Sequence, residues 1–247
     1  MAGRVALKGL PVGVVLALAA ASTSCSVDDR QLRAGGSAGS VSSAGTPGLG
    51  GEAGQSDGNP PVALPVCDYS AGVDPGCETL VSNPGFARDT AGWKAEDTTV
   101  AMSWKTDNAT ETAQSGSLSV LNSLYGAADG IASRAAAQCL STSYGRTYDF
   151  ALDMFIPEGQ GEGLDGGSYQ ASAGLSVIFY SSKHCDEFTL ASATSDLLEA
   201  DGSWAHREGH AVAPQGAQSM LVRLVTFKNF QEFNFEAYFD NVLVKAE

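Results

Sequence analysis

The chain has no apolar run long enough to cross a bilayer. Its longest goes from Val12 to Ala21, well short of the about 20 residues a spanning helix needs. Positive charge is also scarce: 14 Lys and Arg stand against 28 Asp and Glu, a net charge of −14. A surface of that sign repels phosphate backbones, which sets nucleic acid aside as a partner. There are three histidines and five cysteines, and no C-x-x-C pair of the kind that holds zinc. No G-x-S-x-G elbow, P-loop or dinucleotide fingerprint occurs. His206 and His210 share strand parity without a third metal ligand, and read as an exposed pair with no role. The chain therefore reads as a non-enzyme.

The start of the chain is ordered by chemistry. Basic Arg4 and Lys8 come first, then the apolar run, then Ser22-Thr23-Ser24 ahead of Cys25. This is the layout of a bacterial export signal. Over residues 1–24 it resembles a lipoprotein signal peptide, in which the cysteine becomes the lipidated first residue. The resemblance implies lipidation at Cys25 and contact with membrane through that anchor only. With Ser26 following, it also implies sorting to the outer membrane of the cell envelope. Ser22 stands where such signals usually carry Leu, and plain cleavage after Ala21 would leave Cys25 as a spare thiol. Without Arg4 and Lys8 the mature chain keeps 12 basic against 28 acidic residues, a net charge of −16.

Setting Cys25 aside leaves Cys67, Cys77, Cys139 and Cys185, an even set suited to disulfides in an oxidising compartment. Of three pairings, Cys67–Cys77 with Cys139–Cys185 is the most local. The chain-entropy relation gives about 2.7 kcal/mol for the short loop and about 4 kcal/mol for the long one. Residues 25–61 read as a disordered Gly/Ser/Ala-rich linker. From 33 to 61 there is no aromatic residue, and Val41 and Leu49 are the only large aliphatics, so nothing offsets the entropy of ordering. Residues 62–247 are left for one domain.

That domain alternates with period two. In 147–156, Tyr148, Phe150, Leu152, Met154 and Ile156 share one face, with Asp149, Ala151, Asp153 and Phe155 on the other. Residues 174–181 and 220–227 repeat the pattern, and shorter runs fall at 79–82, 98–104, 117–122, 138–141, 187–191, 204–212 and 236–244. The alanine-rich 132–137 fits a helical turn. Many strands and no strong helix predict an all-β fold, a two-sheet antiparallel β-sandwich.

The ordered set Leu80-Val81-Ser82-Asn83-Pro84-Gly85-Phe86, Gly92-Trp93, 113–120, Gly145-Arg146-Thr147-Tyr148-Asp149-Phe150, Trp204, Pro214-Gln215-Gly216-Ala217 and Tyr238-Phe239-Asp240-Asn241-Val242-Leu243-Val244 resembles the CenC-type carbohydrate-binding modules, jelly rolls of the galactose-binding-like class. The resemblance covers nearly all of 80–247. It implies a carbohydrate ligand, a structural calcium between the first and last strands, and a core role for Trp93 and Trp204. Asp240 matches one calcium ligand; Ala87 stands at the other, so Asp89 is its substitute. Alternatively, Asp240 merely hydrogen-bonds the terminal turn.

Sugars need aromatic faces and planar polar groups. If the three clear strands share one sheet, Asp149, Asp153, Phe155, Tyr180, Arg223 and Phe227 line a common groove. The alternative is a solvated Asp149–Arg223 ion pair. Trp104, Tyr125 and Tyr169 lie near loops, where binding residues concentrate; Tyr169 follows the Gly-rich stretch 159–167 with Glu158, Glu162 and Asp165. The rival expectation is a surface structural or adhesion protein of the same fold that docks an envelope protein.

Overall fold

The computed structural model describes residues 64, 66–70, 76–126, 130–160, 170–199 and 202–247. The expected signal, Cys25, the linker, Glu162, Asp165 and Tyr169 lie outside the described residues. Ten strands form two antiparallel five-stranded sheets, and among the described residues there is no helix.

The first sheet has the order β1 (Lys94–Ala95), β4 (Ile131–Ser141), β9 (Ser219–Asn229), β6 (Ser172–Tyr180), β7 (Thr189–Thr194). The second has β2 (Val100–Lys105), β3 (Ser117–Asn122), β10 (Phe235–Ala246), β5 (Thr147–Phe155), β8 (Ala205–Val212). This is the all-β sandwich the alternation predicts. Between the sheets lie Phe150, Leu152, Met154 and Ile156 from one side and Leu175, Val177, Met220, Val222 and Leu224 from the other, all buried. Trp93 packs beside Phe86 in that core, ring centroids 5.9 Å apart.

Two expectations are corrected. Residues 132–137 are no helical turn but the middle of β4, in register with β9 from Ile131↔Asn229 to Ser141↔Ser219. Alanine's preference for helix is worth a few tenths of a kcal/mol per residue and yields to a full ladder of cross-strand bonds. Residues 79–82 are not a strand, although Leu80 N donates to Val244 O at 2.8 Å.

The disulfides are Cys67–Cys77 and Cys139–Cys185. The first packs with Leu64 and Tyr69 over Ala151 and Leu243, on the face of the second sheet turned away from the core. It covers one end of that face and leaves the other end, around Phe155, uncovered by this cluster.

Lys228 is fully buried. Its ammonium donates to Leu124 O, to Glu232 O at 2.7 Å and to Asn229 O at 3.3 Å, tying the β3–β4 and β9–β10 connections together. Burial pushes its pKa down. Lys228→Met keeps the volume but strands three carbonyls, so it is expected to cost about 2–3 kcal/mol. A shift in the urea midpoint of the full-length chain measures this.

Candidate functional site

The groove expected across three strands does not form, because its strands belong to different sheets. Asp149, Asp153 and Phe155 lie on the outer face of the second sheet. Tyr180, Arg223 and Phe227 lie on the outer face of the first, on the opposite side of the sandwich. Asp149 and Arg223 form no ion pair. Arg223 instead grips Glu96 with both prongs of its guanidinium, at 2.5 and 2.8 Å. Asp149 stands in register with Lys245 and His210, and its nearby carboxylate raises the pKa of Glu247.

Trp104 and Tyr125 are each committed locally. Trp104 Nε1 donates to Phe86 O at 2.6 Å, and a Cβ on Gly116 would meet the indole at 2.3 Å. Tyr125 stacks flat on Phe233, centroids 5.5 Å apart at 10°. Asp89 caps its own turn, accepting from Ala91 N and Asn83 Nδ2. Among the described residues no three His, Cys, Asp or Glu side chains converge to hold a metal.

The outer face of the second sheet is built in two parallel rows. Pairing across β10, β5 and β8 places Asp240, Asp153 and His206 side by side. One step along, Tyr238 and Phe155 pair, and Trp204, just ahead of β8, continues that row.

The polar row is cross-linked, with Asp153 and Asp240 buried and His206 half-buried. Asp153 accepts from His206 Nδ1 at 2.9 Å and from Asn241 Nδ2 at 2.8 Å. His206 is therefore not an idle surface residue; the bond to Asp153 raises its pKa. Asp240 is fully buried and accepts from Ala109 N at 3.0 Å and Asn241 N at 2.7 Å. Burial pushes its carboxyl up to about 7. The local cause is a bulge: the register shifts between Asp240 and Leu243, with Asn241 at φ 50°, so Asp240 faces outward and Val242 returns to the core. With both carboxylate oxygens bonded to backbone N–H groups and Asp89 engaged elsewhere, the side chains present do not assemble the oxygen cage calcium prefers.

The aromatic row is half-open. Phe155 lies 5.5 Å from Trp204 and 5.6 Å from Tyr238, centroid to centroid. Lys105 Nζ sits 5.2 Å over the Tyr238 ring and 2.9 Å from Glu236 Oε1. Beside Phe155 and Trp204, the 106–113 loop closes a cleft of about 640 Å³, to which Thr106, Asp107, Glu111 and Thr112 contribute. Asn108 knots that loop. Its Nδ2 donates to the carbonyls of Thr106, Thr112 and Ser115, and its Oδ1 accepts from Thr112 N and Thr110 Oγ1. The bond from Ala109 N to Asp240 fixes the loop to the sheet.

Trp204 is the residue that sequence reasoning misplaced. It lines this cleft and is absent from the core. The signal was present in its own strand: Trp204, His206, Glu208 and His210 share one parity, and a face with three polar residues is an outer face.

A second cleft, of about 610 Å³, lies against the first sheet, bounded by Lys94, Glu96, Ala137, Leu221, His184 and the Cys139–Cys185 bridge. No Phe, Tyr or Trp side chain lines it.

No family model matches the chain, and no curated protein matches it. Solved structures do. The enzymatically active domain of bacteriophage CBA120 tailspike protein 4 is similar over 76% of this chain, at 13% identity and TM-score 0.51, and the chain spans 24% of that domain's length. The xylan-binding CBM22-1 domain of Paenibacillus barcinonensis Xyn10C is similar over 66% of this chain and 90% of its own (13% identity, TM-score 0.42). TmCBM61, solved with β-1,4-galactotriose, is similar over 69% and 99% (11% identity, TM-score 0.40). The tailspike likeness shows the fold.

Proposed function

We propose that the domain binds a carbohydrate reversibly and without catalysis, in the cleft between the Phe155–Trp204 ring pair and the 106–113 loop. One observation carries this: two adjacent, half-buried rings form one wall of a cleft whose other wall is a pre-tied loop bearing hydroxyls and carboxylates. Apolar sugar C–H faces suit the rings, and sugar hydroxyls suit Thr106, Thr112, Asp107 and Glu111. The Asn108 knot and the Asp240 anchor hold the loop before any ligand arrives, which reduces the ordering cost of binding. Carbohydrate-binding modules among the similar structures agree with this reading.

In the same reading, residues 1–24 export the chain, Cys25 carries a lipid, and 25–61 tether the domain at the cell envelope, on the outer membrane. The order of basic, apolar and small residues before Cys25 supports this. Calcium enters the proposal as an arm of its test. The full-length chain is to be screened on a glycan panel in calcium and again in chelator. Selective retention is expected. Retention unaffected by chelator would agree with the side-chain bonding of Asp240 and Asp89; loss in chelator would restore a metal at Asp240. Silence from folded, oxidised protein would sink the carbohydrate reading and turn the search to envelope proteins.

A further inference from the structure

We propose that the sugar taken by this cleft carries a free ammonium group: an amino sugar, in preference to a neutral, N-acetylated or acidic one. This rests on the carbohydrate reading above and names its substrate class. The ionisable side chains lining the cleft, Asp107 and Glu111, are both acids, and no base lines it. Among the described residues neither is part of an ion pair.

The aromatic row itself supplies the template. At Tyr238 an ammonium, Lys105 Nζ, rests over a ring while a carboxylate, Glu236, holds it at 2.9 Å. One ring further along, Phe155 and Trp204 face carboxylates across the cleft they share, this time without an ammonium of the protein's own. Ring faces and anions together are the chemistry that recognises an organic cation. Lys105 is committed to the neighbouring position, so the chain leaves the second place to a ligand. Glu111 is also held in the left-handed region, at φ 54°, a conformation costly for a glutamate, within the loop that Asn108 ties. The net charge of −14 draws cations towards the molecule and disfavours anionic glycans.

The test uses the full-length chain and three probes: a glucosamine oligomer, its N-acetylated counterpart, and tetramethylammonium, which has the charge and no sugar. Binding is followed by tryptophan fluorescence and calorimetry. The glucosamine oligomer is expected to bind about tenfold or more tighter than the acetylated one. Asp107→Asn combined with Glu111→Gln is expected to remove that preference with the melting temperature unchanged, whereas Glu187→Gln, on the first-sheet side, is expected to keep it. Equal or tighter binding of the acetylated oligomer would overturn the ammonium assignment while leaving the carbohydrate reading intact. Binding of tetramethylammonium with neither oligomer bound would uphold the ammonium site and overturn the carbohydrate reading. Binding of no probe would overturn both, and a preference that survives in the double variant would overturn the roles of Asp107 and Glu111.

Discussion

Folding stability is expected to fall as pH rises from about 4 to about 8, by up to about 4 kcal/mol from Asp240 alone. The sign follows from burial. The Asp240 carboxyl has its pKa raised from 3.8 to about 7, chiefly by removal from water, against the pull of the N–H groups of Ala109 and Asn241 and with a further push from Asp153 and Asp68. Between those two values the folded chain holds a proton that the unfolded chain has released, so each step up in pH favours unfolding. Above about 7 both states are ionised and the loss is complete. His206 adds a slope of the same sign. Its hydrogen bond to Asp153 raises its pKa above 6.5, so its contribution is full below that value and is lost as pH rises through the folded one. The depressed Asp97 acts only below about 3.8, outside this window. Urea titrations at a series of pH values measure the profile. Asp240→Asn is expected to flatten its acid half; a stability that stays level or climbs towards pH 8 would refute the burial argument.

Trp204→Ala is expected to weaken glycan affinity about thirtyfold or more, the loss typical of truncating a central aromatic anchor. The ring is outside the core, so the melting temperature should move little. Trp104→Phe provides the contrast. It deletes the Nε1 donor to Phe86 O and should lower stability with affinity intact. Phe155→Ala is expected to behave like Trp204→Ala, because the two rings form one wall. Unchanged affinity in Trp204→Ala protein would place the ligand elsewhere.

Much of the fold was legible in the sequence because burial is periodic. Tyr148 to Ile156 alternates so regularly that one face of β5 has to be core, and it is. The disulfide pairing was legible for a different reason: it joins each cysteine to its neighbour in the set of four, 10 and 46 residues apart. Sheet membership was not, because it is decided by partners far apart in the chain. The parity of Arg223 and Tyr180 correctly turns them outward, yet only the pairing of β9 with β4 and β6 decides which outside they face. The end of β4, 138–141, was visible, but its alanine-rich 132–137 was hidden by composition: alanines carry no β signal, and that part is strand because β9 lies alongside. At the candidate site, Phe155 was visible by alternation. The 106–113 loop was not, because a knot made by one asparagine has no periodic signature. Trp204 carried its signal in parity, outweighed by the core role that the family resemblance implies.

The most direct test of where ligand binds is an NMR perturbation map of the full-length chain with a retained glycan. The largest shifts are expected at the Trp204 indole, the Phe155 ring and the amides of 106–113. Shifts confined to Ala137, Leu221 and His184, across the sandwich, would contradict this placement.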